Sequence, residues 1–230
     1  MGCTLCGYDK PRPYKSKRME DLVEDLDTGD VILWSSSSLG SYVNRIATGS
    51  PWSHTGMIIK TDYFTPGHPK LYIWHSINDV ITCTEDKITG KQKRGVQLNS
   101  LKPIIEHSPG EIYIRHMHPK PTEDLFRIHH EFFSEFATKD YEQYVLEMFN
   151  AVSDHMLENK DTPQTRETIF CSELNAYTYK EFGWSAPRNV SCNEYLPSDF
   201  SSGGTSHWFV DKTFYYLNNK RKWGVETRIE

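Results

Sequence analysis

The 230-residue chain is 37% hydrophobic with a formal net charge of −5, which argues against nucleic acid as its main partner. No apolar run approaches the ~18 residues of a membrane-spanning helix, and the N-terminus lacks the apolar stretch of a secretory signal. The five cysteines, at 3, 6, 83, 171 and 192, are odd in number and show no disulfide-framework spacing, which fits a reducing compartment.

The length suits one substantial core, expected as a single domain over residues 19–230 behind a distinct basic segment, residues 1–18. That segment opens Met1-Gly2-Cys3-Thr4-Leu5-Cys6 and continues with Lys10, Arg12, Lys15, Lys17 and Arg18 against Asp9. Loss of Met1 would expose Gly2 to N-myristoylation beside Cys3, a natural S-palmitoylation site. The stretch resembles the doubly acylated N-termini of G-protein α subunits, with Cys6 where the consensus has Ser or Thr. One myristoyl chain binds a bilayer with K of roughly 10⁴ M⁻¹. Each base near an anionic leaflet adds about 1 kcal/mol. A second chain or the five bases would make the attachment stable, so the expected location is cytoplasmic, peripheral to the cytosolic leaflet. The Cys3-x-x-Cys6 pair has no second pair to complete a zinc site, and no cofactor is expected.

A short acidic helix over 19–26 and a turn at Thr28-Gly29-Asp30 precede the strand-like run Val31-Ile32-Leu33-Trp34. Leu39, Tyr42, Val43 and Ile46 have helical spacing. Trp52-Ser53-His54-Thr55-Gly56-Met57-Ile58-Ile59 reads as a buried strand with a histidine at its mouth, and Gly56 would let another backbone approach. An imidazole there can serve proton transfer, although histidines in such places more often only pack or cap. Leu71-Tyr72-Ile73-Trp74-His75-Ser76-Ile77 is a second strand, in which His75 needs a polar partner, a histidine or a hydroxyl. Gly95 to Asn99 and Glu111 to His116 alternate as strands.

From Thr122 the period becomes helical. Leu125, Ile128, Phe132 and Phe136 form one stripe, and Tyr144 to Met156 another, predicting a helical hairpin insertion over 122–157 with His129-His130 on its rim. A polar loop over 158–168 leads to Ile169-Phe170-Cys171-Ser172-Glu173-Leu174, where a helix begins that Gly183 stops. Cys171, Leu174, Thr178 and Phe182 share the inward face. A thiol at a helix N-terminus with a histidine nearby can be acidified, so Cys171 is expected to alkylate at pH 6 ahead of Cys83 and Cys192. Read alone, a cysteine in this setting more often simply packs in the core. Flexible Ser201 to Thr205 and aromatic closing strands near Trp208-Phe209-Val210 and Phe214 to Leu217 end the reading.

The order of these segments carries more than any one of them. Gly29-Asp30-Val31-Ile32, Ser53-His54-Thr55-Gly56-Met57-Ile58, a strand with a polar centre, Gly95-Val96-Gln97-Leu98, Phe170-Cys171-Ser172-Glu173 and Pro197-Ser198-Asp199-Phe200 together resemble the permuted papain-like hydrolases of the YaeF/YiiX type. Cell-wall peptidases and lecithin–retinol acyltransferase belong to the same wider superfamily. The resemblance spans roughly residues 27–200. It implies an α+β, circularly permuted papain-like fold: a small antiparallel sheet or half-barrel packed on the nucleophile helix. It also implies Cys171 as nucleophile, His54 as general base and His75, in Trp74-His75-Ser76, as the orienting residue where the family often has Glu or His. The function so implied is hydrolysis of a peptide or N-acyl amide through an acyl-enzyme, on a small substrate or peptide, at a membrane surface. A lipid acyl hydrolase or acyltransferase, and an inactive membrane-tethered ligand-binding module, are the alternatives.

Overall fold

The computed structural model describes residues 16–36, 50–78, 83–141, 168–184, 192–201 and 222–229. The acylation positions Gly2 and Cys3, the helix near 39–46, the second stripe of the hairpin and the aromatic segments at 208–217 lie outside them.

Within the described residues, apolar strands build a seven-stranded sheet beside a small two-stranded one. Strand β1 (Ser16–Lys17) and helix α1 (Met19–Val23) lead to β2 (Val31–Ser35), β3 (His54–Thr61), β4 (Lys70–Ile77) and β5 (Gly95–Ser100). Helix α2 (Leu101–His107) returns the chain to β6 (Glu111–His118). Helices α3 (Leu125–Ile128) and α4 (His130–Phe136), the paired short strands β7 (Asp140–Tyr141) and β8 (Thr168–Ile169), helix α5 (Cys171–Glu181) and the edge strand β9 (Lys222–Ile229) complete the fold. The spatial order is β1-β9-β6-β2-β3-β4-β5: six antiparallel strands, with β1 added in parallel on β9. The α+β class and the antiparallel sheet expected from the sequence are both present.

The sheet is buried on both faces, which is why β2 reads as an unbroken apolar run rather than an alternating one. Val31, Leu33, Met57, Ile59, Trp74, Val96 and Leu98 pack toward α3, α4 and α5. Ile32, Trp34, Ile58, Ile73, Ile112 and Ile114 pack toward α1 and α2 through Leu22, Leu26, Leu101 and Ile104.

The helical stripe expected over 125–136 is corrected in detail. The chain breaks at His129 (φ −104°, ψ 29°), so two short helices replace one. That break rotates the face: Leu125, Phe126 and Phe133 are buried, whereas Ile128 is 58% exposed. His129 bonds Glu181 and His130 stacks on Tyr63, so both sit at the rim as expected.

Helix α5 is held to the sheet by polar contacts as well as by its apolar side. Trp74 Nε1 donates to Thr178 Oγ1 (3.1 Å), Asn175 Nδ2 to Thr55 Oγ1 (3.0 Å), and Tyr179 OH to the Gly29 carbonyl (2.7 Å). The predicted inward face, Cys171, Leu174, Thr178 and Phe182, is buried throughout. Gly183 adopts φ +65°, and the Gly183 and Trp184 N–H groups reach the Lys180 and Tyr179 carbonyls, the paired bonds of a Schellman stop.

Candidate active site

Cys171 is the first residue of α5. Ile169 is held in the short β7–β8 ladder, and Ser76 Oγ donates to its carbonyl at 2.6 Å. Phe170 stays extended (φ −98°, ψ 169°), and the chain turns into the helix at the cysteine. The sulfur therefore lies among first-turn N–H groups that no i−4 carbonyl satisfies. The backbone N–H groups of Thr55, Ser172 and Cys171 itself face it and favour the thiolate.

Burial outweighs them. The thiol is 5% exposed, and loss of solvent pushes its pKa up to about 11. The acidified cysteine expected from the helix terminus is thus reversed in sign: the dipole and three N–H groups offset only part of the desolvation. Cys192, also buried, is raised to about 11 by burial, with Glu173 adding and Lys180 opposing.

His54 opens β3 opposite Trp34, and the two rings lie 4.9 Å apart. Alternation sends His54, Gly56 and Ile58 to the α1–α2 side, and Thr55, Met57 and Ile59 to the α5 side. His75 projects to the same side as His54, in line with Ile73. His54 Nε2 and His75 Nδ1 are 3.2 Å apart, so the partner that a mid-strand histidine required is the other imidazole. His75 Nε2 in turn lies 2.9 Å from Asn99 Oδ1. Burial first, and the second ring after it, hold the His54 pKa well below 6.5. Burial lowers His75 to about 4, against opposing effects of Asn99 and Asp86.

Of the three residues singled out from the sequence, the structure joins His54 to His75 and brings the Cys171 sulfur to the neighbouring Thr55 from the other face of β3. The imidazoles are bonded to each other on one side of the strand. The sulfur reaches that strand from α5 at the Thr55 N–H, one residue beyond His54. No hydrogen bond joins the thiol to either ring; burial raises the thiol pKa and lowers those of both imidazoles, which favours the neutral form of each.

Asn99 is the site residue that sequence reading did not single out. Gln97 and Asn99 look like the solvent face of an alternating strand, yet both are wholly buried because α2 and its neighbours cover that face. The signal available was the unpaired polar centre of β4 facing two amides spaced i, i+2 on another strand.

A cavity of about 320 Å³ opens beside α5, lined by Phe132, Phe136, Ile169 and Tyr177 together with the charged Glu173 and Lys180. Neither Cys171, His54 nor His75 lines it. Among the described residues no three His, Cys, Asp or Glu side chains converge as a metal site would need, and no helix is long and apolar enough to cross a membrane.

No protein-family model and no curated protein matches the sequence. Among solved structures, the chain aligns with metalloprotein yiiX from Escherichia coli O157:H7 (DUF1105) at a TM-score of 0.42 and 20% identity. The alignment covers 67% of this chain and 65% of that one, so the match spans just under two thirds of the yiiX protein's length.

Proposed function

We propose that the chain is a cysteine hydrolase of permuted papain-like type, acting on a peptide or N-acyl amide, with Cys171 as nucleophile, His54 as base and His75 as its orienting partner. The observation that carries this reading is the bonded row Asn99–His75–His54 ending at the strand mouth that the Cys171 sulfur also reaches. With a neutral thiol at rest, His54 takes the S–H proton as the sulfur attacks the carbonyl, not beforehand. The new imidazolium then protonates the departing amine, and water releases the acyl group. The N–H groups around the sulfur are the donors available to the oxyanion, and one such donor is typically worth about 10²–10³ in rate. Acylation at Gly2 and Cys3, with the basic residues behind them, would hold this chemistry at the cytosolic face of an anionic membrane. A lipid acceptor in place of water would turn the same acyl-enzyme into an acyltransferase.

A second reading, an inactive ligand-binding module, draws on the 5% exposure of Cys171 and its raised pKa. One experiment separates the readings. N-acyl amino acids, peptides and phospholipids are offered in parallel to the wild type, Cys171→Ala and His54→Ala. Hydrolase chemistry requires turnover that vanishes in Cys171→Ala and falls by about 10²–10⁴ in His54→Ala. Turnover indifferent to Cys171 overturns the thiol mechanism, and no turnover at all leaves the binding module.

A further inference from the structure

A neutral imidazole carries one N–H and one lone pair, so two imidazoles in series must share a direction. Whatever group ends the row decides where every proton sits. Here the row ends inside the protein, at the side chain of Asn99 on β5. Asn99 pairs in register with Ile73, two residues along β4 from His75, which sets its amide beside the His75 ring. The oxygen faces His75 Nε2 at 2.9 Å, and an amide oxygen can only accept.

We propose that Asn99 is a positioning residue that fixes the direction of the imidazole pair and so keeps His54 Nδ1 unprotonated. By accepting the His75 Nε2–H, it leaves the His75 Nδ1 lone pair to receive the His54 Nε2–H across 3.2 Å. The free lone pair of the row is then on His54 Nδ1, the one ring nitrogen of the four that is engaged with neither the other ring nor the amide. Were the amide turned the other way, Nδ2 would donate to His75, both rings would reverse, and His54 Nδ1 would hold a proton where a base is wanted. Gln97, directly opposite His75 in register and equally buried, does not compete for the ring. Its Nε2 is engaged by the Lys93 and Gly95 carbonyls at 3.0 and 3.4 Å.

The use of this device rests on the hydrolase reading; the placement of the protons does not. In that chemistry the S–H proton moves to His54 Nδ1 as the S–C bond forms. It leaves from the same nitrogen to the amine as the C–N bond breaks. The Nε2–H bond to His75 persists throughout, so no second proton has to travel.

The test reads the protons directly. The full-length chain is labelled with ¹⁵N-histidine, and long-range ¹H–¹⁵N correlations are recorded at pH 7 for the wild type, Asn99→Asp and Asn99→Leu. Spectra of His54→Gln and His75→Gln supply the assignments. Both rings of the wild type should be Nε2–H tautomers, and Asn99→Asp, which retains an acceptor, should keep them. Asn99→Leu should give averaged tautomers. A His54 or His75 signal of the Nδ1–H form in the wild type overturns the proposal, and so does a tautomer unchanged in folded Asn99→Leu. Should the Leu variant not fold, the wild-type and Asp spectra still decide.

On an N-acyl p-nitroanilide, Asn99→Leu should lower kcat at least about tenfold with KM within about twofold, and Asn99→Asp should restore it. An equal fall in both variants, or a change confined to KM, also counts against the proposal. If the wild type does not cleave such a substrate, the hydrolase reading fails while the tautomers remain readable, so the two failures stay distinct.

Discussion

A thiol with a pKa near 11 is almost entirely protonated at neutral pH, the thiolate fraction at pH 7 being on the order of 10⁻⁴. Thiolate is the alkylating species, so the free protein should react in an order opposite to that suggested by the helix terminus alone. With iodoacetamide at pH 7, half-exposed Cys83 should be modified well ahead of Cys171, as read by peptide mass spectrometry. The Cys171 rate should climb about tenfold per pH unit up to roughly pH 11. A plateau beginning near pH 6 would mean that His54 and Cys171 form an ion pair and that burial is not the dominant effect. The same quantity bears on mechanism. A site whose nucleophile is neutral at rest depends more heavily on where the base keeps its lone pair, which makes the His75–Asn99 contact matter.

At the scale of elements, β3 and β4 must approach closely enough for two imidazole stems to meet, and Gly56 is where that closeness is set. A Cβ at this position would stand 2.8 Å from Ile73 Cδ1 and 3.2 Å from His75 Cβ. The isoleucine tip can swing aside, whereas a Cβ moves only with its strand. Gly56→Ala should therefore cost about 1–3 kcal/mol of stability in urea unfolding, in the range of overpacked cores. It should also lengthen the His54–His75 contact and, under the proposed hydrolase chemistry, lower turnover. A variant as stable as the wild type would show that the strands part easily. The sequence pointed to Gly56 as a point of close approach, and the neighbours prove to be side-chain stems, not another backbone. That difference typifies what could be read from the sequence alone. Period, breakers and caps belong to single segments, so β3, β4 and the start and stop of α5 were legible residue by residue. The rotation at His129 and the burial of Gln97 and Asn99 depend on which layers cover a face, and no local pattern carries that.

The fold buries His75 fully and His54 in large part, and this couples the site to global stability. A histidine held neutral in the folded state but free to charge in the unfolded one makes unfolding bind a proton. For His75 the folded value is about 4 against an ordinary 6.5, so its contribution is complete above pH 6.5 and is lost as pH falls toward 4. The shift of two and a half pH units corresponds to about 3 kcal/mol, and His54, depressed in the same direction, adds to it. Carboxylates contribute to acid unfolding of any protein, so the comparison that isolates the pair is a substitution. His75→Gln removes one titrating ring and relieves His54 of its neighbour's charge. Urea-unfolding free energies measured from pH 7 to pH 4 should fall clearly less steeply in the variant than in the wild type. Parallel curves would mean that the ring is already charged, or solvated, in the folded protein. A proton on His75 in the fold would also break the Asn99–His75–His54 row as drawn, because both of its nitrogens would then donate and Nδ1 could no longer accept from His54.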